Sequence, residues 1–413
     1  MRILILTVGS RGDVEPFLGL GAALRARGLA VRIVTGPGHG ATAARSGIEI
    51  VEGGLDPAAL AMTPDGRAAL AGSVPAALRL LRDTRALVGG FLDRAWAASE
   101  DVDAVIHHPK ALGGSLIAAM RAVPAFPAAT VPLLAPTRAF PSPILPVRSL
   151  GTLGNRLSHH AALGALAMPY RGVLARFRDR VAGEGRRRPA PRPLARLHGF
   201  SEALVERPGD WGPDDVVTGP WLLPPDSGWT PPGALVRFLA AGPPPVHVGF
   251  GSMTPGDGAA RAGLVVEAAR RAGLRVVLAC GWGGLEAGTD AEHALAIGEA
   301  PHDWLFPRCA ALVHHGGSGT THAGLRHGRP TLVCPVFGDQ PFWGRLVAAR
   351  GAGPEPIPLR ALTVERLAEA LRALVSSSAM REAAEGVARR MRADGGAARA
   401  AAIVEERLAR RHG

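Results

Sequence analysis

Short apolar runs alternate with helix-period stretches from one end of this chain to the other, and that alternation restricts its fold more than any other feature. Residues 3–8 (ILILTV) read as a buried strand, and the loop GSRGDVEP follows at 9–16. Residues 17–27 then carry a helical pattern, with Leu18, Leu20, Ala23 and Leu24 apolar and Gly28 as its stop signal. A second strand at 30–35 completes a β-α-β unit. The same rhythm predicts strands at 48–51, 104–107 and 125–130 and helices at 76–98 and 112–121. A second series opens at 245, with a strand at 246–250, a helix at 259–272, and apolar runs at 275–280, 295–300, 304–309, 311–313 and 331–336. Strands that alternate with helices pair in parallel, so the chain is predicted to be α/β with doubly wound sheets.

At 413 residues there is enough chain for two domains, each with its own core. Prolines and glycines crowd residues 209–244, which places an interdomain linker at 211–243. The expected units are therefore 1–210, 244–392 and a basic terminal helix at 393–413. Another proline-rich segment, APTRAFPSPILP at 135–146, disfavours helix and interior strand and is expected to be a long loop lining a cleft. No apolar stretch reaches membrane-spanning length, and the chain enters its first strand too early for a secretory signal, so a cytoplasmic location is expected. Cys280, Cys309 and Cys334 lack metal-ligand spacing and read as buried thiols.

The formal charge of +12 invites a nucleic-acid reading, which the residue types argue against. Lys110 is the only lysine, the arginines are scattered, and Tyr170 is the only tyrosine, so the aromatic platforms of single-strand binders are scarce. Arginine in place of lysine, with abundant alanine, glycine and proline, matches the codon bias of a GC-rich genome. The charge leaves room for weak peripheral attraction to anionic lipid.

Chemistry is concentrated in a few loops. HHGGSGTTHAG at 314–324 lies between two apolar runs, so it reads as strand, glycine-rich turn and helix start. Gly316, Gly317 and Gly319 allow close backbone approach, Ser318, Thr320 and Thr321 add hydroxyls, and a helix N-terminus attracts phosphate. Many such loops are only turns; Asp339-Gln340 after the next strand and His315 beside the loop favour a ligand site. Ser252 follows strand 246–250 and suits either a phosphate oxygen or a helix cap. In the first β-to-α loop, Asp13 suits equally the N-cap of the next helix and a base facing the crevice at the sheet's carboxyl edge. His107 and His108 end a strand on the same sheet, where either can support a base or simply close the strand. Ala300 and His302 sit near the turn expected to meet a nucleotide base, with Trp304 in the core. Asp101-Val102-Asp103 precedes its strand and reads as solvated, and His159-His160 faces two directions on a helix.

Together GSRGDVEPFLGLGAALRARG (9–28), HHPK (107–110), PTRAFPSPILP (136–146), PHDWLFPRCAALVHHGGSGTTHAG (301–324) and GDQPFWGR (338–345) resemble the nucleotide-sugar-dependent glycosyltransferases of GT-B architecture, family 1 type. The likeness is strongest to sterol-glucosyltransferase-like enzymes and to bacterial transferases that decorate natural products, including antibiotics. It implies two Rossmann-like domains across a cleft and an inverting transfer to a hydrophobic acceptor, with Asp13 as base. Ser252, His315, Gly317, Gly319 and Thr320 then hold the donor diphosphate, Asp339 and Gln340 the sugar, and Ala300 and His302 the base, without a metal. The final helix is expected to cross back to the first domain. No cofactor is implied beyond a nucleotide-sugar co-substrate, UDP-glucose favoured and a dTDP-sugar open, and either a monomer or a homodimer fits. Two positions depart from plant relatives: Glu299 replaces a base-stacking tryptophan, and Ala323 a ribose-binding glutamate. A nucleotide-sugar epimerase of the same fold and a nonenzymatic partner protein are the competing readings. An NAD site is disfavoured, since the first loop lacks G-x-G-x-x-G.

Overall fold

The computed structural model describes residues 1–70, 73–182, 192–225, 228–251, 258–279 and 292–412. Strands β1 (Arg2–Leu6), β2 (Ala30–Thr35), β3 (Glu49–Glu52), β4 (Ala104–His107), β5 (Ala125–Ala129), β6 (Arg196–His198) and β7 (Asp215–Val217) make the first sheet, in the order β3-β2-β1-β4-β5-β6-β7. A second sheet contains β8 (Val246–Gly249), β9 (Val276–Ala279), β10 (Ala294–Ile297), β11 (Ala311–His314) and β12 (Thr331–Val333), ordered β10-β9-β8-β11-β12. Every pairing is parallel. Helices cover both faces, which is why Ile3, Leu4, Ile5 and Leu6 are all fully buried rather than alternating. In each sheet the strand order reverses beside its first strand, between β1 and β4 and between β8 and β11, and there the loops part to leave a crevice.

The apolar run 304–309 is helical: Pro301 precedes a short helix, His302–Leu305, and Pro307 sits in a 3-10 turn, Phe306–Arg308. Its apolar residues Leu305, Phe306 and Cys309 are buried. Within 211–243, β7 completes the first sheet and Gly233–Ala240 is helical. β6 and β7 have three residues each, too few to leave a period in the sequence, and exist through pairing with β5 and with each other. Cys309 and Cys334 are buried free thiols, while Cys280 lies outside the described residues.

A buried apolar seam joins the two sheets. Phe200, Leu204, Trp211 and Val217 from the first half pack with Leu325, Val333, Phe342, Trp343 and Val347 from the second. The C-terminal helix, Gly396–His412, supplies a second tie, starting where the Gly396 N–H donates to the Thr218 carbonyl at 2.6 Å. Ala400, Ala401, Val404 and Leu408 form one helical stripe buried with Phe17 and Leu24 in the first domain's core. Arg27 fixes its far end on Glu405 at 2.6 Å.

Truncating that stripe leaves a cavity the rigid sheet cannot close. Leu408→Ala is expected to lower unfolding free energy by about 2–4 kcal/mol, read from the urea midpoint at unchanged m-value.

Candidate functional site

The first helix, Arg11–Ala26, begins at the carboxyl end of β1, and its capping fixes Asp13. Ser10 is the N-cap and Asp13 the third helical residue, so Asp13 is not itself the N-cap that its spacing allowed. Its Oδ2 accepts from the Ser10 N–H at 2.9 Å and the Ser10 hydroxyl at 3.1 Å, the backward half of a capping box. Gly9 has φ +146°, and a side chain there would collide with this carboxylate. The capping and crevice roles thus use different oxygens: Oδ2 closes the helix, and Oδ1 accepts from Lys110 Nζ at 2.6 Å.

Lys110 is the residue that sequence reasoning quoted in HHPK but gave no role. The signal was present, as a lone lysine in an arginine-rich chain. Burial works to raise the Asp13 pKa, but the Lys110 charge and the hydrogen bonds from Lys110 and Ser10 outweigh it and hold the carboxyl below its ordinary range. Of the two candidate histidines, only His108 lies within electrostatic reach of Asp13. His108 packs edge-on to Phe17, and its Nδ1 accepts the Lys110 backbone N–H at 3.2 Å, which leaves Nε2 as the protonated nitrogen of the neutral ring. His107 points away and shares a 2.8 Å bond with the Ser115 hydroxyl. Burial holds both rings at about 4, so both are neutral at pH 7. Asp101 and Asp103 pair with Arg2 at the opposite, amino end of the sheet.

Across the crevice, β11 runs into His315, Gly316 and Gly317 and then the loop helix, Ser318–Arg326. Gly316 has φ +94°, and a Cβ there would press on Val333 and the Gln340 carbonyl, so the turn requires glycine. Gly317 is the N-cap and has no side chain to fill the helix end. The amides of the first turn, including Gly319 and Thr320, therefore have no partner inside the helix. Thr321 uses its hydroxyl on the Gly317 carbonyl at 2.9 Å, and Ser318 uses its own on Thr130 of the first domain at 2.9 Å. His315 packs against Gly251 and Gly317, and burial holds its ring at about 4. His314 is wholly buried, its Nδ1 accepting from Gly316 N–H at 2.9 Å, so it serves the turn. Ser252 lies outside the described residues.

Asp339 and Gln340 open the helix Gln340–Ala349. Asp339 Oδ2 accepts from the Trp343 indole N–H at 2.7 Å; Gln340 Oε1 accepts from the N–H groups of Val336 and Phe337 at 2.7 and 3.1 Å. Each side chain keeps one polar end, Asp339 Oδ1 and the Gln340 amide nitrogen, outside these local bonds. Burial raises the Asp339 pKa, opposed by Trp343 and by Lys110, so the lysine acts on carboxylates from both domains. His302 is exposed and stacked on Phe306 at 4.3 Å, beside half-buried Ala300. Trp304 is only half-buried, between Trp229 and the Arg308 guanidinium. Glu299 pairs across the crevice with Arg11, and Ala323 is buried beside Phe306, offering no polar group to a ribose.

Known proteins resemble this chain in sequence and in fold. Residues 3–139 match the glycosyltransferase family 28 N-terminal domain, and residues 294–406 match the erythromycin biosynthesis protein CIII-like C-terminal domain. A sterol 3-beta-glucosyltransferase of Arabidopsis thaliana is 34% identical over 96% of this chain and 64% of its own length. One from Yarrowia lipolytica is 34% identical over 96% of this chain and 28% of its own length. The chain thus spans less than two thirds of the curated relatives it matches. The calicheamicin glycosyltransferase CalG4 shares its fold, with a TM-score of 0.69 at 20% identity over 99% of both chains. The kitacinnamycin glycotransferase does so with a TM-score of 0.71 at 20% identity, over 98% of this chain and 99% of that one. The chain belongs to the GT-B glycosyltransferases of family 1 type, the group that holds the sterol and natural-product enzymes.

The Asp13–Lys110 pair has a direct titration signature. Carboxyl carbon NMR of the free protein should find Asp13 titrating below the ordinary aspartate value of about 3.9, and Lys110→Met should move that titration upward, since burial then acts unopposed by the ammonium.

Proposed function

We propose that this chain is an inverting, metal-independent glycosyltransferase that moves a hexose from a nucleotide sugar, UDP-glucose favoured, to a hydroxyl of a hydrophobic small molecule such as a sterol, macrolide or polyketide. One observation carries the reading: Asp13 Oδ1 and the uncapped helix start at Gly317 lie on opposite walls of one crevice, with Lys110 acting on both Asp13 and Asp339. The two walls suit an acceptor and a donor. The glucosyltransferase names of the plant and fungal relatives support glucose, and a dTDP-sugar is the alternative donor.

In this reading the acceptor hydroxyl approaches Asp13 Oδ1, which has a second lone pair beside the one used by Lys110. The acceptor proton passes to Oδ1 as the acceptor oxygen bonds to the anomeric carbon from the face opposite the diphosphate. The bond from that carbon to the diphosphate oxygen breaks, and the nucleoside diphosphate leaves with the electron pair, inverting the configuration. Its developing charge meets the amides of Gly319 and Thr320, the helix dipole and His315. The Asp339 carboxylate and Gln340 amide hold sugar hydroxyls, while Ala300 and His302 flank the base. Lys110 keeps Asp13 ionised in the free enzyme, so the base is ready at every pH above its lowered pKa. The proline-rich segment 135–146 walls the acceptor side, tied to the second domain by Phe140 against Phe342 at 5.7 Å.

Asp13→Asn should keep nucleotide-sugar affinity, measured by calorimetry, and lose about 10²–10⁴-fold in transfer rate. Near-normal turnover in that variant removes Asp13 as the base. His315→Ala should weaken both donor binding and kcat; a donor dependence unchanged from the parent would overturn the diphosphate assignment.

A further inference from the structure

Lys110 has more bonding capacity than Asp13 uses. Its ammonium carries three N–H donors, and among the described residues only one is taken, by Asp13 Oδ1 at 2.6 Å. The Lys110 backbone N–H is fixed on His108 Nδ1 at 3.2 Å, so the turn after β4 is set, and the side chain leaves it half-exposed in the crevice. Water satisfies the two remaining donors in the free protein, and a ligand that displaces this water has to replace its bonds.

The sheet order puts that ammonium beside the donor half. β4 lies between β1 and β5, and at their carboxyl ends β1 leads to Asp13, β4 to Lys110 and β5 to Thr130. The Thr130 carbonyl accepts the Ser318 hydroxyl at 2.9 Å, from the first residue of the helix after the glycine-rich turn. Lys110 therefore stands between the Asp13 carboxylate and the strand end that touches the second domain. Asp339, the N-cap of its helix, lies within electrostatic reach of the ammonium. Every other long cationic side chain in this protein is arginine. A guanidinium is a planar fork suited to two-point contact with phosphate, whereas an ammonium is a compact donor that suits single hydroxyl oxygens. A diphosphate oxygen also fits less well here, because the Asp13 carboxylate beside the ammonium has the same sign of charge.

We propose that Lys110 is a direct contact to the transferred sugar: its ammonium donates to one hexose hydroxyl from the first domain, opposite Asp339 and Gln340, and so selects a hydroxylated over a deoxygenated sugar at that position. The inference rests on the transfer reading and adds to it a sugar contact from the opposite wall. A hydroxyl both accepts and donates, so neighbouring hydroxyls of one ring bridge the ammonium and the Asp339 carboxylate. A deoxy carbon displaces the same water and returns no bond, which leaves a charged donor unpaired.

The test is calorimetric titration of the full chain, without acceptor, with UDP, UDP-glucose and singly deoxygenated analogues of UDP-glucose, and with the matching dTDP series. In the parent, at least one analogue should bind roughly 10- to 100-fold more weakly than the glucose donor. Lys110→Met should bind the glucose donor more weakly by that same factor, bind the sugar-free nucleotide as the parent does, and no longer distinguish that analogue from the glucose donor. Unchanged affinity for the sugar-free nucleotide also shows that the crevice is folded. Lys110→Gln, which still donates to Asp13, is held to the same criteria should the methionine variant not fold. Equal losses for nucleotide and nucleotide sugar would put the lysine on the diphosphate, and an unchanged affinity for the glucose donor would confine it to Asp13; either overturns the proposal. So does a parent that binds every deoxy analogue as tightly as the glucose donor. A parent that binds no nucleotide at all overturns the donor reading itself, and this contact with it.

Discussion

Everything chemical in this molecule depends on the apolar seam between its two sheets. Neither domain holds a complete site: Asp13, His108 and Lys110 come from the first, and His315, the loop helix and Asp339 from the second. Trp343 and Phe342 against Phe200 and Trp211 hold the two carboxyl edges facing one another. Trp343 does more than fill space, because its indole N–H binds Asp339 and its ring meets His322 at 4.9 Å. His322 accepts the Ser201 N–H at 3.1 Å and holds the Ser318 carbonyl at 2.7 Å, so the helix after the glycine-rich turn is braced by the opposite domain. Packing and site geometry are one construction here.

Within that frame the electrostatics divide cleanly. Burial neutralises the histidines His107, His108 and His315, each held at about 4. It would push Asp13 toward the neutral form as well, and Lys110 reverses that outcome for this one carboxyl. The crevice thus contains a charged carboxylate among uncharged imidazoles. Asp339 is shifted the other way, since burial, with the Asp13 charge added to it, exceeds the lowering by the Trp343 hydrogen bond, Lys110 and its own backbone. The same ammonium favours the charged form of both carboxyls, one from each domain, and overcomes burial only at Asp13.

Most of the architecture was legible because it rests on period. The runs at 30–35 and 104–107 became strands with those bounds, and the glycine-rich motif became a strand, turn and helix start as its residue types required. What was missed had no period to show. β6 is a three-residue strand made by its neighbours β5 and β7. The choice between His107 and His108 was open for a similar reason: adjacent strand residues face opposite sides, and only the packing of Ser115 and Phe17 says which side meets the crevice.

The sequence by itself determined the α/β plan, the loops that carry polar chemistry and the membership that those loops together imply. Local backbone physics decides these matters: hydrophobic period, glycine at positive φ, and the uncapped amides of a helix start. Tertiary structure alone decided that Lys110, 97 residues from Asp13, pairs with its Oδ1. It also decided that Oδ2 is committed to Ser10, and that Asp339 lies near enough to feel the same ammonium. Charge and burial act through distance in space, and spacing along a chain does not encode that distance.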